Sequence, residues 1–297
     1  MTEFLQQVVS GLAAGGIYAS LALALVIIYR AMGLVNFAQG EFAMLSTFIA
    51  WLLLQVLHLP TALTYTLAAV GGIGFALLLG VGAERLVVRP FERGSQLIVV
   101  IVTLALLSIV NGLAGFIWGY VPKFFPSPLP AAPVSLAGVL VSPQDAGVIA
   151  VTLLVVGLVW LLFNRTTLGL RMRAAALYPE SAGLLGVRVG RMTALGWGLA
   201  SAVGAVAGIM VAPRIFLEPN MMQSVIIYAF AAAVLGGIES PLGAVAGGLI
   251  LGVLLNLIGA YLPQVADIRL AVALLVLVLI LLVRPAGLFG RVHVRRV

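Results

Sequence analysis

Three polar side chains fall within nine residues of an otherwise apolar stretch, Gly33-Leu34-Val35-Asn36-Phe37-Ala38-Gln39-Gly40-Glu41. Two amides and a carboxylate so placed offer donors and acceptors to a passing solute. Asn36 and Gln39 are three apart and share a helix face, whereas Glu41 points roughly 140° away from Asn36, so the three need not form one site. Two readings stand side by side. One is a hydrogen-bonding station or gate on a solute path. The other is an ordinary helix entry, with Asn36 as N-cap and Glu41 in the first turns, where a negative charge is favoured. Asn111, between Ser108 and Gly112, and Asn256, following Gly248 and Gly252 at four-residue steps, pose a similar choice. Each either hydrogen-bonds a neighbouring helix or faces a cavity. The candidate path or gate residues are therefore Asn36, Gln39, Glu41, Asn111 and Asn256.

Other chemistries are excluded by what the chain lacks. It has no cysteine and only two histidines, His58 and His293, too few and too far apart for a metal site. A phosphate-binding loop needs GxxxxGK[ST], and the single lysine, Lys123, stands in VPKF. Asp145 and Asp267 fall at the edges of apolar segments, and neither histidine is placed to serve a serine, so intramembrane proteolysis fits poorly. The expectation is a chain without metal, cofactor or catalytic site.

The elements that must position these residues are membrane helices. The 297 residues are 63% hydrophobic and 8% charged, where a soluble domain carries about 25% charge. With roughly 20 apolar residues per span, nine segments can be cut, at about 8–29, 37–57, 61–83, 96–118, 146–163, 193–212, 222–238, 243–262 and 268–283. The expected fold is all-α, a polytopic helical bundle of about eight or nine transmembrane helices. No soluble linker or repeat divides residues 1–297, which read as one membrane domain.

Net charge +7 is read as topology rather than nucleic-acid binding. With the N-terminus outside and the C-terminus inside, thirteen of the sixteen basic residues fall on inner segments, leaving Lys123, Arg214 and Arg269 outside. The N-terminal MTEFLQQVVS has no basic residue, unlike a cleavable signal, so the first span is expected to be permanent. The outer loop from Gly119 to Asp145 carries six prolines, which suits an extended cover rather than a folded domain. The seventh segment is short, and the turn at Glu239-Ser240-Pro241 is tight, so residues 222–262 are either full spans or half-helices that enter and return. Gly196, Ala200, Gly204 and Gly208, and again Gly248 and Gly252, form close-packing seams.

The inner loop over residues 164–192 holds Arg165, Arg171, Arg173, Arg188 and Arg191 around two apolar strings, LGLRMRAAAL and ESAGLLGV, separated at Tyr178-Pro179. Pro179 forces a break and Glu180 or Ser181 opens a second short helix. Arginines alone would fix topology and touch anionic lipid. The alanine, leucine and glycine beside them want a protein surface, which points to a docking platform for a soluble subunit.

Five ordered blocks carry a family resemblance: GLAAGGIYASLALALVIIYRAMGLVNFAQGE, ERLVVRPFER, LGLRMRAAALYPESAGLLGVRVGRM, AFAAAVLGGIESPLGAVAGGLILG and RPAGLFGR. From about residue 8 to residue 291 the chain resembles the permease subunits of bacterial ABC importers for branched-chain amino acids, the shorter of two permease types. Related permeases serve urea and amides. The resemblance implies a bacterial inner-membrane heterodimer with a second permease, two cytoplasmic ATP-binding subunits that use the ATP, and a periplasmic solute-binding protein. It implies that Arg171, Arg173, Glu180 and Gly186 belong to coupling helices seated in a cleft of the ATPase, and that Asn36, Gly40 and Glu41 belong to the family pattern. Two positions depart from it: Gln39 stands where histidine is common, and Glu239 where glycine is usual. The first weakens any proton-linked role and the second alters a cytoplasmic turn.

The competing class is a secondary transporter driven by an ion gradient. Such proteins place an ionisable residue near mid-membrane, and the glutamates here all fall near segment ends, which argues against proton coupling. A purely structural membrane scaffold is the third class, and it would tolerate loss of Asn36, Asn111 and Asn256.

Overall fold

The computed structural model describes residues 2–57, 61–92, 94–130, 132–136, 139–262, 264, 268–284 and 286–290. His58, Arg93, Asp267, Arg291, His293, Arg295 and Arg296, used above, lie outside the described residues. The order is α1 (Thr2–Met32), α2 (Gln39–Val56), α3 (Thr61–Ala83), α4 (Gln96–Trp118), a hairpin of β1 (Val134–Leu136) and β2 (Val139–Val141), α5 (Pro143–Arg165), α6 (Thr167–Leu177), α7 (Pro179–Leu184), α8 (Val189–Ile215), α9 (Gln223–Gly236), α10 (Pro241–Tyr261) and α11 (Arg269–Val283). The hairpin pairs Val134 with Val141 in antiparallel register and lies within the proline-rich loop.

Every apolar segment cut from the sequence contains a helix. Among the described residues, seven helices are long and apolar enough to cross a membrane: α1, α2, α3 with its continuation to Phe91, α4, α5, α8 and α10. The 14 residues of α9 rise about 21 Å, short of a hydrocarbon core of about 30 Å. The 21 residues of α10 do reach across, so α10 is not a half-helix by length. The chain has the helices of a multi-pass membrane protein.

Helix ends follow local chemistry. Gly33 (φ 70) closes α1 and Gly119 (φ 73) closes α4, each taking the left-handed conformation that costs glycine least. Pro179 starts α7, where a missing N–H does no harm. Thr166 caps α6 by accepting from Gly169 N at 3.1 Å, and Ser240 caps α10 by accepting from Gly243 N at 3.0 Å.

The chain packs as two compact units. One comprises Met1–Val26, Leu129–Leu153 and Ser224–Val297; the other comprises Ile27–Pro128 and Leu154–Gln223. In the second, α2 and α3 pack on α8, α2 at Gly204 and Gly208 of the seam and α3 where a methyl at Gly198 would meet Leu77 and Val81. A methyl added at Gly204 would meet Gln39 and Ala43, and one at Gly208 would meet Thr47 and the Ala43 backbone. In the first unit the Gly248 and Gly252 seam of α10 lies against Ala19, Gly15 and Gly11 of α1. These interfaces need small residues because the backbones touch. Just past α3 the helix widens into a π turn, Glu84–Val88, and tightens again over Arg89–Phe91.

Candidate functional site

The entry to α2 is built differently from a simple cap. Helix α2 begins at Gln39 with Ala38 at its N-cap and no side-chain capping bond. Asn36 instead accepts the Ala38 N–H at 3.0 Å, an Asx turn one step before the helix, because its short amide reaches the backbone two residues on. The reading of Asn36 as N-cap is corrected accordingly. Its Nδ2 donates to Gln39 Oε1 at 3.4 Å, and Gln39 Nε2 donates to the Ala200 carbonyl of α8 at 2.9 Å. Both side chains are fully buried. They face α8 across the space that Gly204 leaves.

Glu41 turns the other way, as the helix period requires. Its carboxylate is 3% exposed and accepts from Asn111 Nδ2 at 3.3 Å. Glu41 is near the start of α2, but Asn111 is the sixteenth residue of the 23-residue α4. Glu41 thus keeps the place near a segment end that the sequence predicts, while its carboxylate meets a side chain from the interior of a neighbouring helix.

Asn111 Nδ2 also donates to the Pro219 carbonyl at 2.9 Å and to Asn220 Oδ1 at 3.3 Å. Gln223 Nε2 donates to the same Asn220 oxygen at 3.0 Å. A polar cluster thus forms from α2, α4 and the α8–α9 connection. Asn111 is half-buried, and Asn220 and Gln223 are exposed. Sequence reasoning missed Pro219, Asn220 and Gln223. Their signal was the polar run Glu218-Pro219-Asn220 just before the short seventh apolar segment.

Asn256 belongs to the other unit. Its Nδ2 donates to the Gln7 carbonyl at 2.7 Å and to Gln7 Oε1 at 2.8 Å, tying α10 to α1. Nearby, Ser10 Oγ donates to Asp145 at 3.2 Å.

The inner loop folds as α6 and α7, broken at Pro179. Arg171, Glu180 and Gly186 are exposed, and Arg173 is half-buried. Gly186 has φ 83 and ends α7, with Val187 N donating to the Ala182 carbonyl at 2.9 Å, a Schellman-type stop. Beside them Leu184 and Leu185 are 91% and 85% exposed, with Leu177 and Tyr178 also outward. Exposed apolar side chains and arginines thus share one stretch of α6 and α7.

Arg89 supports this region. It gives Nε and Nη2 to Glu84 Oε1 at 3.1 and 2.9 Å and Nη2 to Oε2 at 2.8 Å, and Nη2 also reaches the Gly190 carbonyl at the start of α8. Glu84 is fully buried. Among the described residues no group of three or more metal-ligating side chains occurs.

The comparisons with known proteins agree along the chain. Residues 7–281 match the family model described as branched-chain amino acid transport system, permease component. The chain is 33% identical over 306 positions to the high-affinity branched-chain amino acid transport system permease protein BraD of Pseudomonas aeruginosa, covering 99% of this chain and 98% of that one. It is 31% identical over 310 positions to the corresponding permease protein LivH of Escherichia coli K12, covering 99% and 98%. A probable LivH of Methanocaldococcus jannaschii is 28% identical over 283 positions, covering 91% and 87%. The chain belongs to the family of branched-chain amino acid transport system permease components.

Proposed function

We propose that this chain is the membrane permease subunit of a bacterial ABC importer and forms a translocation path for branched-chain amino acids. The observation that carries the reading is the match over residues 7–281 to transport permease components. The missing phosphate-binding lysine fits a subunit that leaves ATP hydrolysis to others, so the chain has no enzymatic activity of its own and needs no cofactor. Residues 1–297 act as one permease domain in the inner membrane, N-terminus outside and C-terminus in the cytoplasm. Its partners are a second permease, two ATP-binding subunits and a periplasmic binding protein that selects the solute.

Residues 164–192 are the coupling loop. Arg171, Arg173, Glu180 and Gly186, with the exposed Leu184 and Leu185 alongside, seat in the ATPase. ATP binding closes the ATPase pair and moves this loop, and the glycine-packed helices rock to open the path to one side. Nucleotide shifts the equilibrium only because the closed ATPase binds the two permease states differently. Glu41 and Asn111 line the path. Asn36 and Gln39 fasten the gate, tying α2 to α8. Asn256 holds the α1–α10 seam.

Two experiments test this. The tagged chain, extracted in mild detergent, should co-purify with an ATPase and a sibling permease; recovery alone, with ATP-independent solute movement in liposomes, would overturn it. Because the chain has no cysteine, Ser135→Cys and Leu184→Cys are unique reporters of sidedness. Ser135→Cys should react with an impermeant maleimide on intact spheroplasts, and Leu184→Cys only after lysis. The reverse pattern would invert the orientation.

A further inference from the structure

Three oxygens converge on one nitrogen in the α2–α4 cluster. Glu41 Oε2, the Pro219 carbonyl and Asn220 Oδ1 lie 3.3, 2.9 and 3.3 Å from Asn111 Nδ2. An amide NH₂ has two hydrogens and carries no full charge, so it cannot satisfy three acceptors at once. One acceptor is in excess, and one of the three is a carboxylate.

That carboxylate is 3% exposed, and among the described residues no lysine or arginine forms an ion pair with it. Asn111 is the donor the chain gives it. A buried carboxylate normally has a cation or several donors. A primary ammonium brings three N–H donors and a positive charge, the complement of two neutral oxygens and one carboxylate.

On the reading that the chain carries amino acids, we propose that Glu41, the Pro219 carbonyl and Asn220 form an ammonium subsite for the cargo. Asn111 holds its place in the empty permease. The α-ammonium of the amino acid displaces the Asn111 amide, which turns toward the exposed Gln223. No bond is made or broken covalently. A neutral solute such as urea lacks the charge that this subsite selects.

The test uses the complete importer in liposomes, with leucine-loaded binding protein outside and ATP inside. Glu41→Gln keeps size and hydrogen bonding but removes charge, and should lower initial leucine uptake at least about tenfold, the effect expected for a lost charge-assisted bond. Glu41→Asp retains the charge and should recover a measurable part of it. Asn220→Ala, at an exposed loop position, should raise the leucine-loaded binding protein concentration needed for half-maximal uptake by roughly threefold or more, the effect of a neutral hydrogen bond. Each variant is checked for co-purification with its partners. If wild type moves no branched-chain amino acid, the proposed function itself fails. If wild type does, and Glu41→Gln and Asn220→Ala match it, the function stands and the ammonium subsite is wrong. Should Glu41→Gln prevent assembly, Asn220→Ala decides: a wild-type half-saturating concentration in that variant overturns the subsite.

Discussion

Arg89 grips the carboxylate of Glu84 with Nε and Nη2, and Nη2 also reaches the Gly190 carbonyl, so the turn after α3 is fastened to the start of α8. The link lies one turn from the α7–α8 connection that the exposed inner platform leads into. A force on α7 is therefore met by a bond to α3 rather than absorbed by a loose loop.

Arg89→Ala strands the fully buried Glu84. Breaking a buried pair costs about 3–5 kcal/mol, and since the Arg89 side chain is 37% exposed a loss nearer ~2 kcal/mol is expected after allowing for solvent screening. Glu84→Gln still offers Arg89 an acceptor and should cost less. Thermal unfolding of the purified permease in detergent checks the order, and a larger effect from Glu84→Gln would contradict it.

The glycine contacts separate tight seams from open space. Gly252→Ala drives a methyl into the Gly15 backbone, and Gly208→Ala into that of Ala43. Each should destabilise by about 1–3 kcal/mol, the range for overpacking. Gly74 and Gly157 meet nothing within 4 Å, so alanine there should be neutral or stabilise by about 0.5–1 kcal/mol through better helix propensity. Denaturation midpoints of the four single variants give the comparison directly.

Asn256→Ala removes two hydrogen bonds to Gln7. In a membrane each is worth about 0.6 kcal/mol on average, so a stability loss on the order of 1 kcal/mol with uptake largely kept is the expected outcome. Uptake abolished at unchanged stability would assign Asn256 to the path itself.

The inner platform is tested by changing its apolar half and its charged half separately. Leu184→Ser with Leu185→Ser touches two exposed side chains, so folding should be unchanged within about 0.5 kcal/mol. Co-purification of the ATPase should fall sharply. Replacing Arg171, Arg173 and Glu180 together should abolish uptake while membrane insertion remains, and normal uptake in that triple variant would remove the coupling role.

Much of the architecture was legible because membrane helices announce themselves by length and hydropathy. Each of the nine apolar segments became a helix, Pro179 broke the inner loop where a residue without an N–H must, and the glycines of α8 and α10 packed against α2 and α1. These follow from local rules: apolar length, helix period and the steric freedom of glycine. Asn36 was harder to read, since an Asx turn and an N-cap use the same side chain at neighbouring positions and differ only in which N–H is within reach.

What the sequence determined by itself is therefore a helical membrane chain with its breaks, seams and charged inner loop. Only the tertiary structure decided which polar residues meet. Glu41 and Asn111 are 70 positions apart in sequence and Asn111 and Asn220 are 109 apart. No periodicity links them, because their meeting depends on how α2 and α4 pack and on where the chain after α8 returns. Asn256, with a similar sequence signature, found Gln7 instead. Polar residues in apolar helices all need partners, and packing alone selects between a neighbouring helix and a path.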